Sequence, residues 1–215
     1  MNALRWVLGA VVLVLAAVAA ALFITGRPHA TNLPSVSPVS DAPAATWRPG
    51  KRLAPPFSLA DADGAPVSLA ALHGRPVIVT FIDPLCRDYC PTEAQHLSNV
   101  VRSFSGSQRP AIVAVSVNVA GNGRATLRED ARKWKLVPAW RWGIGPRATL
   151  ARIWRAYGIE VLTSTRTVAG VKVRRVAHTE AAYVVDRNGW QRAVFVWPYS
   201  AKGVVATLRS LSSQS

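Results

Sequence analysis

Unbroken apolar runs alternate along this chain with stretches whose apolar residues recur every three or four positions, and the two patterns separate buried strands from helices. Arg75-Pro76 leads into VIVTFI, Val77 to Ile82, a β-branched run of strand length that Asp83-Pro84 ends. From Cys90 the period changes: Pro91 suits the first helical position, Glu93 the first turn, and Leu97, Val100, Val101 and Phe104 recur at helical spacing. AIVAVSVNV, Ala111 to Val119, predicts a second buried strand, followed by a Gly-Asn-Gly loop and a helix from Thr126 to Lys135. Trp140 to Ile144 reads as a short edge strand. Ala148 to Tyr157 reads as a helix with Leu150, Ile153, Trp154 and Tyr157 on one face. Tyr183 to Asp186, the turn Arg187-Asn188-Gly189 and Trp190 to Trp197 predict a hairpin, since Asn-Gly supplies the positive φ angles of tight turns. A last helix runs from Ala201 to Leu211, and a small hairpin around Asp63-Gly64 precedes the first core strand. Parallel strand-helix units followed by an antiparallel hairpin and a closing helix give an α/β sandwich of mixed strand direction, compatible with a thioredoxin-like fold.

The N-terminal pattern is of another kind. Val7 to Ile24 is a continuous run of apolar and small residues between Arg5 and Arg27, close to the roughly 20 residues that a membrane-crossing helix needs. Residues 1–27 are therefore expected to be a transmembrane anchor or signal segment. Ala17-Val18-Ala19 has the A-x-A form of a cleavage site, but the run continues through Leu22-Phe23-Ile24 and no lipid-attachment cysteine follows. An uncleaved anchor with the soluble domain outside the cytoplasm is the expectation. Residues 28–50, rich in Pro, Ser, Ala and Thr, read as an extended tether, and 51–215 as one globular domain without internal repeats.

With 26 Lys and Arg against 11 Asp and Glu, the net charge of +15 raises the question of nucleic acid. The basic residues are scattered, no recognition helix stands out, and the export-like segment points elsewhere, so no nucleic-acid role is expected. A solvated basic surface is the plain reading; anionic lipid headgroups or an acidic partner come next.

The two cysteines, Cys86 and Cys90, are four residues apart on the strand-to-helix turn. Residues so spaced at a helix start lie one turn apart with α-carbons about 6 Å from each other, within the reach of a disulfide. The pair can close or open. The helix N-terminus and Arg87 favour thiolate over thiol. A purely structural bridge here would enclose only three residues and remove little entropy from the unfolded chain, so redox or metal chemistry explains the pair better. Two thiolates suit Cu(I), and Cu(II) gains from an added nitrogen ligand. Of the four histidines, His29 lies in the tether, His73 before a Gly-Arg-Pro turn and His96 in the helix after the cysteines, whereas His178 sits at the mouth of the strand that begins the late hairpin.

Phe81-Ile82…Cys86-Arg87-Asp88-Tyr89-Cys90-Pro91, then His178-Thr179…Tyr183-Val184-Val185-Asp186-Arg187-Asn188-Gly189, resembles the Sco/SenC proteins, membrane-anchored thioredoxin-fold copper proteins that help assemble the CuA centre of cytochrome c oxidase. The likeness runs from Phe57-Ser58-Leu59 through Trp154 and Tyr157-Gly158-Ile159 to the Asn-Gly turn. It implies that Cys86, Cys90 and His178 bind copper, as Cu(I) and Cu(II), and that the partner is the CuA subunit or another thiol-containing copper protein. Two departures stand out. The family's Asp-Pro after the second buried strand is replaced by Asn118-Val119, and Asp83-Pro84-Leu85 stands where a threonine-containing turn is usual. A thiol-disulfide oxidoreductase that keeps partner cysteines reduced, and a copper or redox sensor, are the competing expectations. A peroxiredoxin is disfavoured because Asp83 occupies the position of its threonine.

Overall fold

The computed structural model describes residues 39–212. The expected membrane segment, the first part of the tether and His29 lie outside them; among the described residues no helix is long and apolar enough to cross a membrane. Among the described residues ten strands and four helices follow one another: β1 (Ala45–Thr46), β2 (Ser58–Ala60), β3 (Pro66–Ser68), β4 (Val77–Ile82), α1 (Tyr89–Arg102), β5 (Ala111–Ser116), α2 (Arg124–Lys133), β6 (Trp140–Gly143), α3 (Arg147–Tyr157), β7 (Val161–Val168), β8 (Val171–His178), β9 (Ala181–Val185), β10 (Gln191–Val196) and α4 (Ala201–Ser212). Six strands form one sheet in the order β1-β10-β9-β4-β5-β6. β4, β5 and β6 run parallel, while β9 is antiparallel to β4 and to β10. This is the mixed sheet that the alternation of patterns predicts.

β4 and β5 are buried at every position because helices cover both faces of the sheet. Ile78 and Ile82 face the cluster that holds Ala94, Leu97 and Val101 of α1 and Val204 and Leu208 of α4. Val77, Val79 and Phe81 face the other, with Leu150, Ile153, Trp154 and Tyr157 of α3 and with Leu59 and Val67 of the small β2–β3 hairpin. Each such side chain contributes about 1.5–3 kcal/mol by leaving water. Between β9 and β10, Asp186 Oδ1 accepts from the N–H groups of Asn188 and Trp190, and Gly189 takes φ +86°. Of the Asn-Gly pair, only the glycine has a positive φ.

Two features depart from the sequence reading. The stretch read as tether contributes β1, which pairs with β10 at Ala45↔Val194 and Thr46↔Ala193. Ahead of it, Ser40 bridges to Tyr199 and Asp41 lies so close to Gly203 that a β-carbon there would collide with the Asp41 carbonyl. Two residues of strand are too short to show a period. The second feature is a long antiparallel arm, β7–β8, joined by Ala169-Gly170, which among the described residues pairs with nothing but itself. In these two strands only Val161, Val176 and His178 are partly covered and no residue is buried, so the arm lacks the apolar contrast that marks a strand in sequence.

Candidate functional site

Strand β4 ends at Ile82, Asp83 Oδ1 accepts from the Leu85 N–H, and the Asp83 carbonyl accepts from the Cys86 N–H at 3.0 Å, so the chain turns sharply into α1. Helix α1 starts at Tyr89, and its first N–H groups have no partner within the helix. One of them, that of Cys90, donates to Cys86 Sγ at 3.4 Å. Both cysteines are free thiols; Cys86 is half-buried and Cys90 is 1% exposed.

Their environments separate the two sulfurs. A hydrogen bond from the Cys90 thiol, aided by the backbone N–H groups of Cys90, Asp88 and Tyr89, lowers the Cys86 pKa to about 5 against the opposing effect of burial. The same thiol contact and burial push Cys90 up, so it keeps its proton while Cys86 is a thiolate. Arg87, expected to favour the thiolate by its charge, is committed to the Pro84 and Cys86 carbonyls and to Asp130 at 3.4 Å. Leu85 and Tyr89, 47% and 64% exposed, leave apolar surface on either side of Cys86 in sequence.

Behind the thiols stands Glu93. Sequence places it in the first turn of the helix; the helix begins earlier, and Glu93 is 1% exposed, turned into the core. Its Oε1 accepts from Thr80 Oγ1 at 2.9 Å and from the Tyr199 hydroxyl at 3.0 Å, while Oε2 is buried without a partner among the described residues. Desolvation raises its pKa to about 7 in spite of these hydrogen bonds. The one sequence signal for it is Thr80, a polar residue in the middle of a fully buried strand.

The second strand's loop leans on the same turn. Asn118, where the family has aspartate, is buried, and its Oδ1 accepts from the Ala120 N–H. A β-carbon on Gly121 would come within 2.8 Å of Pro84 Cβ and 3.0 Å of Leu85 Cγ. The loop therefore props the cysteine turn from behind, a role that spacing alone does not disclose.

His178 is the last residue of β8. Its Nδ1 lies 3.1 Å from the Thr179 carbonyl, which can only accept, so Nδ1 is the donor in this contact and Nε2 is the ring nitrogen left to meet a ligand. The ring borders a cavity of about 180 Å³ with Glu160, Leu162, Ala177 and Thr179. Among the described residues no group of three or more His, Cys, Asp or Glu side chains is set to hold a metal ion. The two thiols are assembled; His178 is outside any such group. Glu180 links the halves electrostatically: burial raises its pKa, His178 lowers it and the Cys86 charge raises it. His96 packs edge-on against Trp197 and Tyr199, its pKa lowered by burial, and His73 lies against the Gly189 turn.

Solved structures match this fold. ScoI of Bradyrhizobium japonicum with copper bound is 22% identical, with a TM-score of 0.63 over 74% of this chain and 99% of its own. Yeast Sco1 with copper bound is 20% identical, with a TM-score of 0.65 over 76% and 90%. BsSco, a member of the Sco family of cytochrome c oxidase assembly proteins in which a disulfide switch is identified, is 19% identical, with a TM-score of 0.60 over 79% and 99%. No curated protein matches. The SCO1/SenC family profile spans residues 45–213, from the edge strand β1 through both cysteines and the arm to the last helix, and the chain belongs to that family.

Proposed function

We propose that this protein is a copper metallochaperone for assembly of the CuA centre of cytochrome c oxidase, held to a membrane by Val7 to Ile24 with its domain outside the cytoplasm. The observation that carries the reading is the thiol pair: one sulfur is held as a thiolate beside a second that is shielded and protonated. Soft sulfur matches Cu(I), and the Nε2 lone pair of His178 supplies the borderline ligand that Cu(II) favours. Copper-bound relatives support copper as the metal. Copper entry requires Cys90 to give up its proton and His178 to approach from the base of the arm.

The same asymmetry favours a second reading, thiol-disulfide exchange. The Cys86 thiolate attacks a partner disulfide and one partner thiolate leaves. Cys90, once deprotonated, then attacks the mixed disulfide at Cys86, which forms a Cys86–Cys90 disulfide and leaves the partner reduced by two electrons. The disulfide switch of BsSco supports it.

Anaerobic titration of the reduced full-length protein against a chromophoric Cu(I) chelator tests the first reading. One copper per chain, with copper-sulfur scattering in the X-ray absorption spectrum, is expected, and Cys86→Ser or Cys90→Ser abolishes tight binding. Absence of copper-sulfur scattering overturns it. Alkylation of Cys86 with iodoacetamide should follow a midpoint at about pH 5. A copper-loaded protein that fails to metallate a CuA domain, yet reduces its disulfide with both cysteines required, gives the role to exchange.

A further inference from the structure

The β7–β8 arm is the part of the fold that the thiol chemistry leaves unused. Between Val161 and His178 it carries Arg166, Lys172, Arg174 and Arg175 and no carboxylate. Residues that face each other across a pair of strands share one side of the ribbon. The register therefore puts Thr163, Thr165, Thr167, Lys172 and Arg174 on the side that ends at Val161 and His178. The opposite side carries Arg166 and Arg175 among Leu162, Val168, Val171 and Val173, whose exposure ranges from 36% to 63%. Because each strand pairs only with the other, both outer edges present unpaired N–H and C=O groups among the described residues. Exposed strand edges of this kind accept another strand, with main-chain hydrogen bonds giving affinity and alternate side chains giving selection.

We infer that the arm is the docking surface for an acidic, extended segment of a protein partner, which adds a strand to one edge of β7–β8 and pairs carboxylates with Arg166, Lys172, Arg174 and Arg175. Three observations select this occupant. The charge is of one sign over the whole ribbon, which calls for a negative partner. The open edges match a strand, whereas a lipid surface uses only charge and apolar tip residues. The ribbon also ends at His178, and Thr179 N–H donates to the Glu160 carbonyl at 3.0 Å where the arm joins the domain. A bound segment is thereby delivered to the end of the arm that carries the imidazole. The inference rests on the proposed function in one respect: the partner is the protein that receives copper or electrons.

A labelled peptide of alternating Glu and Val, titrated into the full-length protein in detergent, tests docking without copper. Saturable binding that weakens with salt is expected. Reversal of all four cations to Glu should weaken it roughly tenfold or more, the combined effect of four exposed charge contacts. A milder pair, Lys172→Gln with Arg174→Gln, should weaken it severalfold and serves if the fourfold variant fails to fold. Arg147→Glu with Arg152→Glu and Arg155→Glu, all exposed on α3, should have the smaller effect of a change in net charge. Equal loss in this control, or no loss in the arm variants, overturns the proposal. So does wild-type protein that binds phosphatidylglycerol vesicles through the arm but not the peptide. Cu(I) binding and Cys86 alkylation should be unchanged in the arm variants, so a failure of docking is distinguishable from a failure of the copper reading.

Discussion

The cysteine turn and the β7–β8 arm both carry residues of the candidate site, yet they are held by opposite means. The turn hangs from the buried end of β4, backed by Glu93, Tyr199 and the Asn118 loop. The arm has a backbone ladder of its own, and only Val161 and Val176 near its base pack against the core. Fixing a thiolate requires donors held in place, because the hydrogen bonds that lower its pKa act only at short range. In the proposed function His178 has to reach a metal, which requires the reverse. The candidate site therefore pairs a preformed thiol half with a histidine at the base of a largely exposed ribbon.

The largest test of that contrast is mechanical. Phe81, fully buried and packed on Tyr157 with ring centroids 5.4 Å apart, should cost about 3–5 kcal/mol of stability as Phe81→Ala. The exposed arm residue Val171 should change stability by less than about 0.5 kcal/mol as Val171→Ala. Urea unfolding measures both, and similar losses would mean that the arm shares the core.

Next in size is a pH effect confined to the turn. Native Glu93 holds its proton up to about pH 7, whereas an unfolded glutamate releases it near 4.5. Between those values the folded state binds more protons, so stability falls as pH rises and is level above about 7. The loss is on the order of 3 kcal/mol. Glu93→Gln should flatten that slope in unfolding curves measured across the range; an unchanged slope would remove Glu93 as its source.

The smallest stability effect belongs to the arm's contribution to the site. His178→Ala should leave stability within about 0.5 kcal/mol and weaken Cu(II) more than Cu(I), since two thiolates suffice for the softer ion. Electron paramagnetic resonance of the Cu(II) form decides this, and identical spectra would exclude the imidazole.

These differences also set what could be read from sequence. Strands β4 and β5 are legible because burial on both faces leaves an unbroken apolar run, and the cysteine turn follows from where β4 stops and the helical period begins. The arm is illegible for the same reason inverted: with both faces in solvent, nothing selects apolar residues at alternate positions. Glu93 is hidden because a carboxylate early in a helix ordinarily faces water, and only its pairing with Thr80 and Tyr199, distant in sequence, shows that it does not. His178 is visible as a residue through the family likeness, while its place at the end of an exposed ribbon is visible only in three dimensions.

The short strap formed by residues 40 to 47 governs where this chain can be cut. Its N–H groups at Ala44 and Trp47 reach the Val194 and Arg192 carbonyls, so β10 is not the rim of the sheet. A fragment that begins at Lys51, where composition alone would place the boundary, bares that rim and opens the notch kept clear by Gly203. Bare rims recruit strands from neighbouring molecules. The strap is thus a guard against self-association, built from residues whose composition resembles a loose tether.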